Sequence, residues 1–254
     1  MNNQNINYEK DFDIKHCHRS YRKSIKSRDL LSFQVKEGES DLLIQAPVLL
    51  QKEGQSALSY FRKILKDYIR ENPEFKISLK PYPFDNSAHP MLREMINVSA
   101  ICQVGPMAAV AGCISQYVAE RLLGETGEII IENGGDLYLK SNYIRKVIIY
   151  AGTSPLSNKI FLKIDSRKRG IGLCTSSGTV GPSFSMGKAD AVTVMSHSAS
   201  LADAAATAIA NIIHHKKDIE KGLKLAKNID GLLGLVIIID DLVGMWGEID
   251  YGLI

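Results

Sequence analysis

The chain has 254 residues, of which 45% are hydrophobic and 23% are charged, a balance that excludes a wholly disordered chain and a collagen-like fibre. Its 31 basic and 28 acidic residues leave a net charge of +3, too near neutral to favour a nucleic-acid partner. The longest strongly apolar run, Leu232–Ile239, is too short to span a bilayer and no signal-peptide pattern is found, so we expect a cytoplasmic protein without a membrane partner.

The N-terminal part predicts a tail, a hairpin and helices. We expect residues 1–18 to form a flexible tail and residues 19–254 to form one domain. Alternating apolar residues over 31–46, with a turn at 37–40, predict a strand–turn–strand unit. Apolar residues at helical spacing predict an amphipathic helix over 55–70, and Pro90 opens a shorter helix that ends near residue 97.

The rest of the chain mixes strands with helices. Gly105-Pro106 opens a predicted helix, rich in small residues, that ends near residue 123. Strands follow at 128–132, 137–139, 146–150, 159–164, 170–174 and 191–195, then helices at about 200–214 and 218–226 and a hairpin over 232–249. This order predicts an α+β fold, with a mixed, largely antiparallel sheet and helices packed on it.

Two glycine-containing segments are candidate ligand sites. Gly105 and Met107 lie at the start of the small-residue helix, where free N–H groups can hold a phosphate. Close packing of this helix on a neighbour is the alternative explanation for its small residues. The second segment, Asn133, Gly134, Gly135 and Asp136, predicts a tight hairpin turn whose amides and polar side chains can face a ligand.

The pair Asp203 and Thr207 is a candidate magnesium site. Residues four apart share one helix face, and a carboxylate and a hydroxyl there can both reach one Mg²⁺. Two alternatives stay open at this point. Ser200-x-x-Asp203 is close to a helix capping box, and Thr207 can hydrogen-bond back to the preceding turn.

A loop rich in Ser, Thr and Gly follows Cys174. Its hydroxyls and amides can wrap a phosphate or the edge of a flavin, or the loop is a solvated turn; the residues concerned are Thr175, Ser176, Ser177 and Gly178. Cys174 and His197 are the candidate catalytic groups. No neighbouring feature indicates a lowered pKa for the Cys174 thiol, which favours an inert thiol over a nucleophile.

These segments, in this order, resemble the ApbE-type flavin transferase superfamily. VGPMAAVAGCISQYVAERLL resembles its central glycine-containing helix, ENGGDLYL its NAGGD turn, TSSG its ATSG loop and SLADAAATAIA its metal-binding helix. SYRKSIKSRDLLSFQVKEGESDLLIQA and SSGTVGPSFSMGKADAVTV extend the resemblance, which is closer to an uncharacterised ApbE-like family of archaea and bacteria.

The resemblance implies an ApbE-like, T-fold-like domain that uses Mg²⁺ and FAD. By position, Asp203 and Thr207 match the magnesium ligands of the transferases, the turn 133–136 matches their flavin-site turn, and residues 176–178 match the loop beside the flavin. The transferases move FMN from FAD to a threonine of a target protein. For the closer family, relatives in methanogenic archaea imply a role in sulfide incorporation into homocysteine.

Two departures from the transferase pattern shape the functional prediction. The central helix lacks the transferase lysine, because residues 108–112 read AAVAG, and no His-x-x-Asp unit precedes the metal helix. We therefore predict a homodimeric protein that keeps a nucleotide and Mg²⁺ pocket without the full transferase set. A working FMN transferase with His197 and Lys188 as replacement groups is one alternative. A non-catalytic module that binds an acidic partner through its basic residues 19–28 is the other.

Overall fold

The computed structural model describes residue 22 and residues 29–179 and 186–254. The predicted tail, residues 1–18, therefore lies outside the described residues. So does most of the basic stretch, of which only Arg22 is described.

A large antiparallel sheet forms the centre of the described chain. Its eight strands lie in the order β1-β2-β3-β4-β7-β8-β9-β10. Their bounds are β1 Leu31–Glu37, β2 Ser40–Ala46, β3 Ile129–Asn133, β4 Asp136–Lys140, β7 Ile171–Ser176, β8 Ala191–Ser196, β9 Leu232–Ile239 and β10 Leu242–Gly247. The side chains of β1 alternate between the core and solvent, since Phe33 and Val35 are buried and Gln34 between them is exposed.

Three further strands form a small second sheet. In the order β11-β6-β5 they are β11 (Tyr251–Leu253), β6 (Ile160–Ile164) and β5 (Arg145–Ile148). Apolar side chains between the two sheets make one core, which includes Leu139, Leu162 and Ile238. Every strand pairing among the described residues, in both sheets, is antiparallel.

The helices pack on one side of the large sheet, where they enclose the second and larger core. They are α1 Gln51–Glu71, α2 Glu74–Ile77, α3 Pro90–Cys102, α4 Val110–Leu122, α5 Ala199–Asn211 and α6 Ile219–Lys227. Helices α4 and α5 contact each other, and both contact β4 and β7. Small side chains in α5 allow this close packing. Ala204, Ala205 and Ala206 are completely buried, and their methyl groups let the helix lie near its neighbours.

The predicted α+β fold with helices on a largely antiparallel sheet is confirmed, with one correction at Gly105-Pro106. These residues do not open the α-helix. They begin a 3₁₀ turn, Pro106–Ala109, and α4 starts only at Val110 because Ala109 leaves helical geometry with φ −110° and ψ 3°. The helix opened by Pro90 runs further than expected, to Cys102.

Among the described residues, no single helix has the length and apolar character to cross a bilayer. The segments Pro90–Cys102 and Pro106–Leu122 reach that length and apolar character only when they are counted together. The chain bends by 106° at the break between them.

Candidate functional site

The turn between β3 and β4 has the geometry that its sequence predicts. Asn133 pairs with Asp136, which leaves Gly134 and Gly135 as a two-residue loop. Both glycines have positive φ, +70° and +109°, a conformation that favours glycine and matches the twist of a hairpin. The Gly135 amide donates a hydrogen bond to Glu132 Oε1 at 3.0 Å, so this N–H is already satisfied within the turn.

The first turn of α4 lies directly against this hairpin. Asn133 Nδ2 donates to the carbonyl of Ala111 at 3.3 Å, and the hydroxyl of Ser115 donates to the carbonyl of Asp136 at 3.4 Å. Asn133 and Asp136 are both buried. The hairpin and the start of α4 therefore form one hydrogen-bonded unit.

Asp203 of α5 reaches the same place from the other side. The amide of Gly112 donates to Asp203 Oδ2 at 2.9 Å, and the Ala111 amide also hydrogen-bonds to this carboxylate. A Cβ on Gly112 would lie 2.3 Å from the carbonyl oxygen of Ala199, so only glycine lets α4 approach α5 this closely. Sequence reasoning assigned residues 108–112 to close packing or phosphate binding and missed the Gly112–Asp203 bond.

The capping interpretation of Asp203 is wrong in its original form. The cap of α5 is Ser198, whose hydroxyl accepts a hydrogen bond from the amide of Leu201 at 3.1 Å. Asp203 instead faces the first turn of α4, where the unpaired amides of a helix start favour a negative charge. The carboxylate thus has a structural task at α4 in addition to any ligand that it binds.

Two buried carboxylates face this point, and their electrostatics are unusual. Burial raises the pKa of Asp203 to about 7, against hydrogen bonds from α4 that favour the charged form. Burial and repulsion by Asp203 hold the pKa of Asp136 well above its ordinary value, although the Thr175 amide donates to Asp136 Oδ1 at 3.3 Å. A cation between the two carboxylates would favour their charged forms.

The residues at this point suit a magnesium ion that keeps most of its non-protein ligands. Thr207 follows Asp203 by one helical turn and is only partly buried, and no hydrogen bond of its hydroxyl is found among the described residues. No group of three or more His, Cys, Asp or Glu side chains there has metal-binding geometry. Mg²⁺ commonly binds one or two carboxylates and takes water and phosphate oxygens for the rest.

The Ser/Thr/Gly-rich loop starts beside the hairpin turn. The carbonyl of Thr175 lies 3.7 Å from where a Gly135 Cβ would be, and its hydroxyl pairs with that of Thr193 at 2.9 Å. Ser176 ends β7 and is buried. Beyond it, the Gly178 amide donates to Ala189, and Ser177 contacts the hydroxyl of Thr179 at 3.3 Å.

Gly105 directly precedes the 3₁₀ turn and Met107 lies within it, and this turn contacts α3 and α5. A Cβ on Gly105 would lie 1.8 Å from the carbonyl oxygen of Ser78, so close packing accounts for this glycine. Met107 is partly buried and packs against the core. The α-helix begins at Val110 and not at Gly105, and ligand binding by Gly105 and Met107 stays a prediction.

The candidate catalytic groups are not brought together. Cys174 is completely buried, its thiol donates to the Ala199 carbonyl at 3.3 Å, and burial raises its pKa well above the ordinary value. His197 Nδ1 lies 3.1 Å from the carbonyl of Gly170. Gly170 precedes Cys174 by four residues, which is ~13 Å along an extended strand. There His197 lines a surface depression of about 320 Å³ with Asp165, Lys168 and Arg169, away from the hairpin turn.

Comparison with known families identifies the chain at this point. A family model described as "AbpE bacteria" matches residues 22–238. The chain belongs to this family. The predicted membership of an ApbE-like family is therefore confirmed, and the match includes the hairpin turn, the start of α4 and Asp203.

Relatives of this AbpE family member come from methanogenic archaea. A UPF0280 protein of Methanosarcina acetivorans is 36% identical over 219 residues, which cover 85% of this chain and 86% of the relative. A UPF0280 protein of Methanococcus vannielii is 43% identical over 190 residues, which cover 73% of this chain and 77% of the relative.

Solved structures share the fold at low sequence identity. The apo form of flavinyl transferase ApbE from Pseudomonas stutzeri is 14% identical with a TM-score of 0.56, over 85% of this chain and 94% of that chain. A variant of flavin transferase ApbE from Vibrio cholerae is 12% identical with a TM-score of 0.58, over 85% and 96%. At this identity, the likeness establishes the ApbE fold for the AbpE family member and not its activity.

Proposed function

We propose that this protein binds a phosphate-bearing, flavin-type nucleotide together with Mg²⁺ where the hairpin turn, α4 and α5 meet. The observation that carries the proposal is the contact of Asp203 Oδ2 with the Gly112 amide, next to the bond from Asn133 to Ala111. Three segments far apart in the chain thus meet, and two of them, the hairpin turn and α5, supply the buried carboxylates Asp136 and Asp203. Asp203 and Thr207 would hold the ion, and Asp136 would add negative charge beside it.

The chemistry of the donors supports magnesium and a phosphate as joint ligands. Carboxylate and hydroxyl oxygens are hard ligands that suit Mg²⁺, and two or three of them leave coordination positions for phosphate oxygens. When bound, the ion would stabilise negative charge on the phosphate. The residues of this chain would bind and orient the phosphate, and the buried surroundings would exclude water from it.

Flavin transfer by the proposed replacement groups has little support from the geometry. His197 lies at the opposite end of β7 from the hairpin turn, and Lys188 is exposed with its amide bonded to Ile213. The proposed function is therefore nucleotide binding by an ApbE-like protein that lacks the full transferase set. The proposal assigns no catalytic step on the bound nucleotide to His197 or Lys188.

A thermal-shift experiment with matched variants tests this function. We expect FMN or FAD with Mg²⁺ to raise the melting temperature of the wild-type protein, and neither nucleotide to do so after chelation of the metal. Asp203→Asn keeps an oxygen for the Gly112 amide but removes the charge, so it should fold and lose the magnesium-dependent shift.

The matched control is Asp218→Asn. Asp218 is also buried and accepts hydrogen bonds from the amides of His214 and His215, but it lies beyond the far end of α5. This variant should keep the full shift. An unshifted wild-type protein, or equal shifts in the wild type and Asp203→Asn, would reject the proposed site.

The cellular role that we propose is sulfide assimilation into homocysteine. It rests on the sequence resemblance to the uncharacterised ApbE-like family and on no residue of the site. A strain that lacks the gene should incorporate less labelled sulfide into homocysteine, and a copy encoding wild-type protein should restore it where the Asp203→Asn copy does not. Undiminished incorporation in the deletion strain would reject this role.

A further inference from the structure

Glu132 connects the hairpin turn to a residue far away in the chain. This carboxylate is buried at the end of β3, and its Oε1 accepts the hydrogen bond from the Gly135 amide at 3.0 Å. Its other oxygen, Oε2, accepts a hydrogen bond from Nε of Arg22. One carboxylate therefore joins the turn to the guanidinium.

Arg22 is itself fixed at a second point. Its Nη1 donates to Asp41 Oδ1 at 2.8 Å and its Nη2 donates to the Asp41 carbonyl at 2.7 Å. The Arg22 side chain is only 11% exposed. A planar guanidinium that binds two partners in this way has one orientation, so it holds Glu132 at a set distance from β2.

We propose that Arg22 is a positioning residue for the ligand site, which sets the conformation of the hairpin turn through Glu132. The inference rests on the proposed function for its effect on the ligand. Without Arg22, the Glu132 carboxylate would lose the hydrogen bond that fixes its Oε2, and its Oε1 would no longer be held towards the Gly135 amide. The Gly135 amide would then lose its acceptor, and Asp136, the next residue, would no longer be held beside Asp203.

Arg22 thereby has an intramolecular role. Arg22 belongs to the basic residues 19–28, which contact an acidic partner in the alternative hypothesis of a non-catalytic module. Its acidic partners are Glu132 and Asp41 of the same chain. This assigns a positioning role to a residue that lies more than a hundred positions from the turn it controls.

Amide exchange at Gly135, measured by NMR in the ligand-free protein, tests the proposal. In Arg22→Ala we expect the Gly135 amide to exchange about tenfold faster than in the wild type, because it loses a held, charged acceptor. Arg22→Lys keeps the positive charge but lacks the planar guanidinium that binds two partners. In this variant the Gly135 amide should exchange at an intermediate rate. An unchanged Gly135 rate in Arg22→Ala would overturn the proposal.

Arg145→Ala is the matched control, because Arg145 makes the equivalent bridge at the other end of β3. Its guanidinium bonds to the buried Glu128 and to Asp29, with Nη1 2.9 Å from Asp29 Oδ1. This variant removes a similar bridge far from the turn, so it should leave Gly135 exchange at the wild-type rate. Equal acceleration in both variants would indicate a general loss of stability and would also overturn the proposal.

Titration with FMN and Mg²⁺ gives the second measurement. We expect Arg22→Ala to raise the Kd about tenfold, the loss of roughly one charge-assisted contact, and Arg145→Ala to leave it unchanged. Unchanged affinity in Arg22→Ala would overturn the effect on the ligand. If the wild-type protein bound no nucleotide, the proposed function would fail, and the exchange rates would still decide whether Arg22 positions the turn.

Discussion

The carboxylate of Asp203 contributes to the pH dependence of the stability of the metal-free protein. Its folded-state pKa of about 7 lies above that of an unfolded aspartate, so the folded protein binds a proton more tightly than the unfolded chain. This contribution to stability is complete below about pH 4 and is lost as the pH rises to 7. Asp136, whose pKa is also raised, acts in the same direction.

We therefore expect Asp203→Asn to change the pH profile of unfolding in chelator. The asparagine cannot lose a proton, so the variant should gain a few kcal/mol relative to the wild type between pH 4 and pH 7.5. Urea unfolding at both pH values measures this difference. A wild type and variant whose stabilities run parallel across this range would contradict a buried, proton-binding Asp203.

The spacing of Asp203 and Thr207 was readable from the sequence, whereas their partner was not. A period of four places both residues on one helix face whatever surrounds the helix. The bond from the Gly112 amide joins residues that are 91 positions apart, and no local pattern encodes such a contact. The same is true of Arg22 and Glu132, which are 110 positions apart.

At the scale of the elements, the close approach of α4 and α5 builds the site. Gly112→Ala would place a Cβ 2.3 Å from the Ala199 carbonyl oxygen and 2.9 Å from Asp203 Cβ, so the two helices must separate. We expect a loss of ~1–3 kcal/mol in the free energy of unfolding and a weaker response to Mg²⁺ with FMN.

Gly127→Ala provides the control for this packing prediction. No atom lies within 4 Å of a Cβ built at Gly127, which is exposed between α4 and β3. Its effect on the unfolding free energy, measured in urea, should stay within about 0.5 kcal/mol. An equal loss of unfolding free energy in the two variants would show that the close contact between α4 and α5 does not depend on Gly112.

Periodicity predicted the long elements and missed two of the shortest. The helix α1 and the hairpins β1–β2 and β9–β10 carry strong patterns over six or more residues and were found where expected. The elements α2 and β11 have four and three residues, too few for a period to be visible. Helix α2 holds its place through one buried side chain, Phe75, and β11 through its pairing with β6.

At the scale of the whole molecule, the order of the strands depends on long-range contacts that no local sequence pattern predicts. β4 pairs with β7 because β5 and β6 leave the large sheet and form the small one. The C-terminal strand then returns to pair Tyr251 with Leu162. The apolar run of β9 is the one local trace of this arrangement, since a strand covered on both faces needs continuous apolar residues.

The whole fold also allows a prediction about flavin transfer. With FAD, Mg²⁺ and an acceptor protein that carries the target threonine, we expect no fluorescent flavin band on a denaturing gel. The flavin transferase ApbE from Vibrio cholerae, run in parallel with an acceptor that it modifies, serves as the positive control. A fluorescent, labelled acceptor with this protein would contradict the prediction that it has lost flavin-transferase activity.

The homodimer and the cytoplasmic location stay predictions.

Anomalous diffraction from crystals of this protein grown with Mn²⁺ in place of Mg²⁺ and with FMN tests the central claim most directly. The account predicts a manganese peak about 2.1 Å from an oxygen of Asp203 and from the Thr207 hydroxyl, with the FMN phosphate completing the coordination. A manganese peak at another place, or FMN bound away from the meeting point of the hairpin turn, α4 and α5, would contradict it.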